Sequence, residues 1–238
     1  MESKRAQELM EQLKNYDTPT VTNVVAGYPN REDQCLGLYD PWTVNWYTDQ
    51  TARCIYPELG RRVGYAVTCI YGLPDPRFTR LGFPDVVKAL EAAPLQPTIL
   101  VIKQDFPEQI KRKNGLSGGN MTTAMKAVGC VGCISDGPSR DIDEIREMDF
   151  QYLLTGVAPG HGDFSVKAMN VPVSVFSMDV CPGEIIHMDE NGACKFPADR
   201  LEEIVALCEK VREIEERRME RLRDAKSAAD IANIWNYL

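Results

Sequence analysis

Between residues 99 and 176 the sequence alternates short apolar runs with stretches of helical period, and few architectures accept that order. Residues 99–103 form a short apolar run, and residues 121–128 carry helical spacing that ends at Gly129. Residues 130–135 have the near-continuous apolarity of a buried strand, Asp136-Gly137 makes a turn, and residues 140–148 read as a second helix. Further strands are expected over 152–157 and 171–176. Strand, helix and strand at this spacing predict an α/β domain with parallel connections, because parallel neighbours need a crossover long enough to hold a helix.

The flanks add helices. Residues 4–14 and 20–27 read as helical, split by Thr18-Pro19, with Asp17 or Thr18 available to cap the second. Residues 29–58 are rich in Pro, Tyr, Trp and Asp and predict a long irregular excursion. Residues 64–71 are β-rich, 73–82 form a Pro-rich loop, and 83–93 read as a helix. Asn191-Gly192 favours a hairpin between residues 184–188 and 193–196. A C-terminal helix is expected over 199–224, with Asp199 and Glu202 as a capping box and Leu201, Ile204, Val205, Cys208, Val211 and Ile214 as its apolar stripe. Its later part, 213–224, is almost all charge, which suits a helix that leaves the core or meets another subunit. The expectation is one domain over 1–238, with its core at roughly 60–197.

Composition excludes several classes. With 44% hydrophobic and 26% charged residues the chain of 238 can bury a full core. Its formal charge of −8 disfavours nucleic acid as a partner. The one dense basic cluster, Lys111-Arg112-Lys113, has no interleaved aromatics and reads as a solvated turn. No apolar run approaches the ~20 residues that cross a bilayer, and the charged N-terminus does not read as a secretory signal. The eight cysteines lie mostly in apolar, strand-like runs, as buried reduced thiols do, so a cytoplasmic location is expected. Cys130 and Cys133 form a C-x-x-C without a second ligand pair and read as packing.

Three features carry chemistry. Ser117-Gly118-Gly119-Asn120 precedes a helix, where free amides and the positive dipole end favour an anion. Asp136-Gly137-Pro138-Ser139-Arg140-Asp141 lies between a buried strand and a helix, and ligands gather beyond the carboxyl ends of strands in open α/β sheets. There Arg140 offers a planar fork for a carboxylate, and Asp141 a hard oxygen ligand for Mg²⁺ or Mn²⁺. The alternative is structural: Arg140 pairing with Asp143 or Glu144, and Asp141 complementing the first turn of the helix. Finally, Pro159-Gly160-His161-Gly162-Asp163 places His161 and Asp163 in a glycine-rich loop after a strand, where His161 is either functional or a loop residue making one backbone hydrogen bond; the other histidine, His187, sits in the hairpin.

The run from Ala127 to Asp141 resembles the RraA-like family, whose hallmark is an alternating glycine strand followed by Asp-Gly-x-x-Arg-Asp. That family includes the regulator of ribonuclease activity A and metal-dependent 4-hydroxy-4-methyl-2-oxoglutarate aldolases. The similarity extends to residues 64–68, 118–121 and 180–197, and spans roughly 60–215. It implies an α/β, three-layer β/β/α swivelling-domain fold with helical N- and C-terminal extensions, assembled as a homotrimer or hexamer. It further implies that Gly118, Gly119, Asn120 and Met121 bind substrate through backbone amides. Arg140 would grip a 2-oxo acid, Asp141 would anchor the metal, and a neighbour's Glu213, Glu215 or Glu216 would approach the site. The aldolases usually carry an acid twenty-one positions before the arginine, where this chain has Gly119. That acid helps order metal-bound water in proton transfer.

The expected function is therefore a divalent-metal-dependent carbon–carbon lyase on small 2-oxo acids. Pyruvate-releasing aldolase and oxaloacetate decarboxylase chemistry are both open, since loss of CO₂ requires no hydroxyl deprotonation. The other class to weigh is a non-catalytic, protein-binding regulator of the ribonuclease-inhibitor type.

Overall fold

The computed structural model describes residues 3–29, 31, 33–43, 45–77 and 80–236. Two helices, α1 (Ser3–Leu13) and α2 (Thr18–Val25), open the chain, and Asp17 caps α2 by accepting from the Thr20 amide at 2.9 Å. After an irregular stretch come β1 (Arg53–Cys54), β2 (Arg62–Gly72), α3 (Phe83–Glu91) and β3 (Thr98–Asp105). The centre follows as α4 (Glu108–Lys111), α5 (Gly119–Ala127), β4 (Cys130–Ser135), α6 (Ile142–Glu147) and β5 (Gln151–Leu154). Strands β6 (Ser165–Met169), β7 (Val173–Val175), β8 (Met178–Val180), β9 (Ile185–Asp189) and β10 (Gly192–Phe196) lead to helices α7 (Leu201–Asp224) and α8 (Ala228–Asn236).

One sheet of eight strands organises these elements. Strands β2, β3, β4 and β5 run parallel, joined by the expected helical crossovers; β1 borders β5, while β9 and β10 extend the other side. β2 is long enough to pair with β9 over residues 62–65 and with β6 over 69–72. Helices α3, α5 and α6 cover one face through Val86, Leu90, Met125 and Ile145. The β7–β8 ribbon covers the other through Val173, Val175, Met178 and Val180. Ribbon, sheet and helices are the three layers. Each fully buried Val, Leu, Ile or Met here contributes about 1.5–3 kcal/mol. A further cluster packs α1, α2 and α7 on β9 and β10.

Several expectations need correction. The strand expected over 171–176 does not continue the parallel sheet: β7 pairs only with β8. Phe176 and Ser177 both have positive φ (49° and 61°), the conformation of a two-residue hairpin turn, without the glycine or asparagine that would announce it. The strand expected to reach residue 157 ends at Leu154, and the helix expected from Arg140 begins at Ile142. The capping box on the last helix is absent: Asp199 lies in a 3-10 turn (Ala198–Arg200), and Glu202 pairs with Arg5 at 2.7 Å. Lys111 is not solvated either; it is drawn in to Asp136. The additional helix α8 packs on α7, with the Arg218 guanidinium over the Trp235 ring at 5.7 Å. Among the described residues no helix is long and apolar enough to cross a membrane.

His187 is structural and fully buried. Its Nε2 lies 3.0 Å from the Tyr16 carbonyl and its Nδ1 2.9 Å from Thr18 Oγ1, so a neutral ring donates to one and accepts from the other. Burial pulls its pKa down to about 4, against the opposing attraction of Asp189. The unfolded chain takes up a proton that the fold refuses, so this contribution is complete above the ordinary histidine range and is lost as pH falls from about 6.5 towards 4. Wild type is expected to lose roughly 3 kcal/mol over that window beyond what His187→Gln loses. Urea titrations near pH 7 and pH 4.5 check this. Equal losses in both proteins would contradict it.

Candidate active site

The loops that follow β3, β4 and β5 meet at the carboxyl end of the parallel sheet, where no strand continues and backbone groups are free. Buried polar groups lock them together. Asp136, at the end of β4, accepts from the Gln104 amide at 2.7 Å and from the ammonium groups of Lys103 and Lys111, each at 2.6 Å. The Gln104 side chain donates to Ser135 Oγ and the Pro138 carbonyl, and accepts from Asn114. From the other side, the Arg140 amide donates to the Ser117 carbonyl at 3.0 Å, and Ser139 Oγ donates to that same oxygen. Beneath them the buried Tyr152 hydroxyl meets Ser117 Oγ at 2.6 Å and Thr122 Oγ1 at 2.8 Å, and burial pushes its pKa well up. This network fixes Gly118–Gly119 beside Arg140–Asp141.

Asp141 occupies the N-cap position of α6 but does not cap it. Its backbone is left-handed (φ 59°, ψ 38°), and no hydrogen bond runs from its side chain to the helix. The carboxylate instead turns to the start of α5, where Oδ2 accepts from the Gly119 amide at 3.0 Å. Asp17, which caps α2 in the ordinary extended conformation, makes the contrast plain. A non-glycine residue in this conformation is sparsely populated and persists where its surroundings over-determine it. Gly118 is required by the same geometry: a side chain there would collide with the Asp141 carboxylate and stand 3.0 Å from Arg140 Nε.

The alternative pairing for Arg140 is not what forms. Asp143 pairs with Arg146, and Arg140 makes no ion pair with Asp143 or Glu144. Arg140 Nε is buried without a hydrogen-bond partner, and its nearest carboxylate oxygen, Asp141 Oδ2, stands 3.6 Å away. Among the described residues the guanidinium makes no hydrogen bond. A guanidinium fork that makes no hydrogen bond, beside a carboxylate and over a helix start, can accept an anion along with a cation.

The other candidates are less central. Asn120 and Met121 lie in the first turn of α5. The 158–162 loop adjoins the site, since the Gly115 amide donates to the Gly160 carbonyl at 2.9 Å. His161, however, points to the Gly162 carbonyl and the Phe164 ring, and neither it nor Asp163 hydrogen-bonds to Arg140 or Asp141. Glu213, Glu215 and Glu216 lie on α7, which packs with α1, α2 and α8 over a different core cluster. Glu213 pairs with Arg217 and Glu216 with Arg212. Within one chain none of the three joins the site.

Among the described residues, no group of three or more His, Cys, Asp or Glu side chains is placed to hold a metal. This does not suit a closed zinc site. Mg²⁺ and Mn²⁺ ask less of a protein, since they take one or two carboxylates and fill their remaining positions with water and ligand oxygens. Asp141 is the hard-oxygen donor present. Cys130 and Cys133 are no alternative, because burial raises both thiols and leaves them inert.

Fold and site together define an α/β protein with an arginine and an aspartate side by side at the carboxyl end of its parallel strands. The chain belongs to the RraA-like family (Aldolase/RraA), whose profile matches residues 40–194. This family holds both aldolase-type enzymes and ribonuclease inhibitors. The 4-hydroxy-4-methyl-2-oxoglutarate aldolase of Thermus thermophilus is 29% identical over 86 residues, covering 36% of this chain and 52% of that protein. The curated relatives that match are spanned over only 14% to 60% of their lengths. An uncharacterized protein from Pseudomonas syringae pv. tomato has a similar crystal structure, with a TM-score of 0.72 at 19% identity, covering 98% of this chain and 94% of that one. Streptomyces coelicolor RraAS2, described as an unusual member of the RNase ES inhibitor RraA family, gives 0.64 at 20% identity, covering 88% and 94%. Both are likenesses of fold.

Proposed function

We propose that the chain is a divalent-metal-dependent carbon–carbon lyase acting on small 2-oxo acids. The observation that carries this reading is Asp141, turned away from its own helix in a strained conformation to stand 3.6 Å from Arg140, whose guanidinium makes no hydrogen bond among the described residues. A capping aspartate and a surface arginine would need neither feature. In this reading Arg140 binds the carboxylate of the oxo acid, and the amides at the start of α5 orient it. Asp141 would hold the cation, which supplies Lewis-acid polarisation of the 2-oxo group when bound. With oxaloacetate, the bond to the distal carboxylate breaks, CO₂ leaves, and the electron pair passes to the enolate of pyruvate, which is then protonated. With a 4-hydroxy-2-oxo acid the same enolate is left after the C3–C4 bond breaks. The aldolase named among the relatives supports this second substrate class.

The reading includes a homotrimer or hexamer in which a neighbour's α7 brings Glu213, Glu215 or Glu216 to the site. The regulator class stands as the competing reading, on the strength of the inhibitor family named in a structural neighbour.

The test is pyruvate formation from oxaloacetate and from 4-hydroxy-4-methyl-2-oxoglutarate, with Mg²⁺ and after chelation, on protein whose mass is measured by light scattering. Metal-dependent release above the protein-free rate is expected from an oligomer. No release from either substrate favours the regulator. A fully active monomer removes the shared-site part.

A further inference from the structure

The glycine pair at the start of α5 leaves a notch, and the notch is filled. A side chain at Gly119 would begin where the Glu144 carboxylate lies, with Asp141 Oδ2 3.9 Å away; at Gly118 the same space belongs to the Asp141 carboxylate. Two acids from the start of α6 thus converge over two glycines of α5, Asp141 on the side of Arg140 and Glu144 over Gly119. Their surroundings differ. Asp141 is held by the Gly119 amide and faces Arg140. Glu144 makes no hydrogen bond or ion pair among the described residues, although its neighbours Asp143 and Arg146 pair with each other. Glu144 is exposed to solvent and tied to no cation, so its carboxylate is accessible to take up a proton.

We propose that Glu144 is the general base for substrates carrying a 4-hydroxyl group, delivered from α6 into the space that a side chain at position 119 would otherwise fill. The proposal rests on the lyase reading and deepens it. The Glu144 carboxylate removes the proton of the C4 hydroxyl, and the oxygen's electron pair forms the new carbonyl. The C3–C4 bond breaks, and its electrons pass to C3 as the enolate of pyruvate. The proton held on Glu144 then returns to C3, which balances the step and gives two carbonyl products. Oxaloacetate has no such hydroxyl, so its decarboxylation does not call on this group.

The experiment compares both reactions in wild type and Glu144→Gln, and measures oxalate binding in the presence of Mg²⁺ by calorimetry. Cleavage of 4-hydroxy-4-methyl-2-oxoglutarate is expected to fall about 100-fold or more in kcat/KM, the usual effect of losing a positioned base. Decarboxylation should fall far less, and oxalate affinity should shift by no more than a few-fold. The double variant Gly119→Asp/Glu144→Ala, which returns an acid to α5, should recover cleavage at least about tenfold over Glu144→Ala alone. Undiminished cleavage in Glu144→Gln, equal loss of both reactions, collapse of oxalate binding or failure of the double variant to recover would each overturn the assignment. So would a wild type that decarboxylates but does not cleave. If wild type does neither, the lyase reading itself fails, and the two failures are thereby told apart.

Discussion

Asp141→Asn is expected to lower metal-dependent pyruvate release by on the order of 10²–10³-fold while the protein stays folded. The change removes one negative charge and leaves the shape. Asparagine tolerates the left-handed backbone about as well as aspartate, and its amide oxygen can still accept from Gly119. The thermal midpoint should therefore move little, so any loss of turnover reports on charge. A second readout separates the metal from the chemistry: the Mg²⁺ concentration for half-maximal activity should rise with the loss. If the variant, stripped and reloaded with Mg²⁺, turns over like wild type, Asp141 is not the metal-side residue.

The second large effect is expected at Arg140, because the oxo-acid reading depends on its fork. Arg140→Lys keeps the charge and gives up the two parallel hydrogen bonds that a guanidinium makes to one carboxylate. A charge-assisted hydrogen bond contributes about 1.5–3 kcal/mol, so kcat/KM for oxaloacetate at saturating Mg²⁺ should fall by roughly 10- to 150-fold. Among the described residues Arg140 makes no hydrogen bond, and its ion pair with Asp141 is long at 3.6 Å and survives in lysine, so stability should change by less than about 1 kcal/mol. A drop in stability without a drop in kcat/KM would reverse the assignment and return the residue to a packing role.

What the sequence made legible was local in character. The apolar strand at 130–135, the turn at Asp136-Gly137 and the Arg140-Asp141 pair could be placed because period and turn chemistry act over a few residues. The β9–β10 hairpin and the cap at Asp17 were readable for the same reason, although the hairpin's loop is Glu190-Asn191 and Gly192 already pairs with Asp189 in the ladder. Illegible features depend on partners distant in sequence. Lys111 looks like part of a solvated cluster until Asp136, twenty-five residues on, is brought to it. Nothing near Tyr152 announces that its hydroxyl ties Ser117 to Thr122 beneath the site. The turn at Phe176-Ser177 has the wrong residues for its conformation, and packing in the ribbon overrides their preference. Gly119 carried half a signal: the missing side chain was visible, but not that Glu144 stands in its place.

On the lyase reading, the uncapped start of α6 sets stability against function. An aspartate at this position in an ordinary extended conformation would contribute about 1 kcal/mol by satisfying the free amides of the first turn. Here the six-residue helix forgoes that, and its N-cap carboxylate points to another element. Any change that lets residue 141 relax onto its own helix would make the protein more robust to heat and less able to hold a ligand. Selection for thermostability alone would then be drawn to this position and would erode the site first.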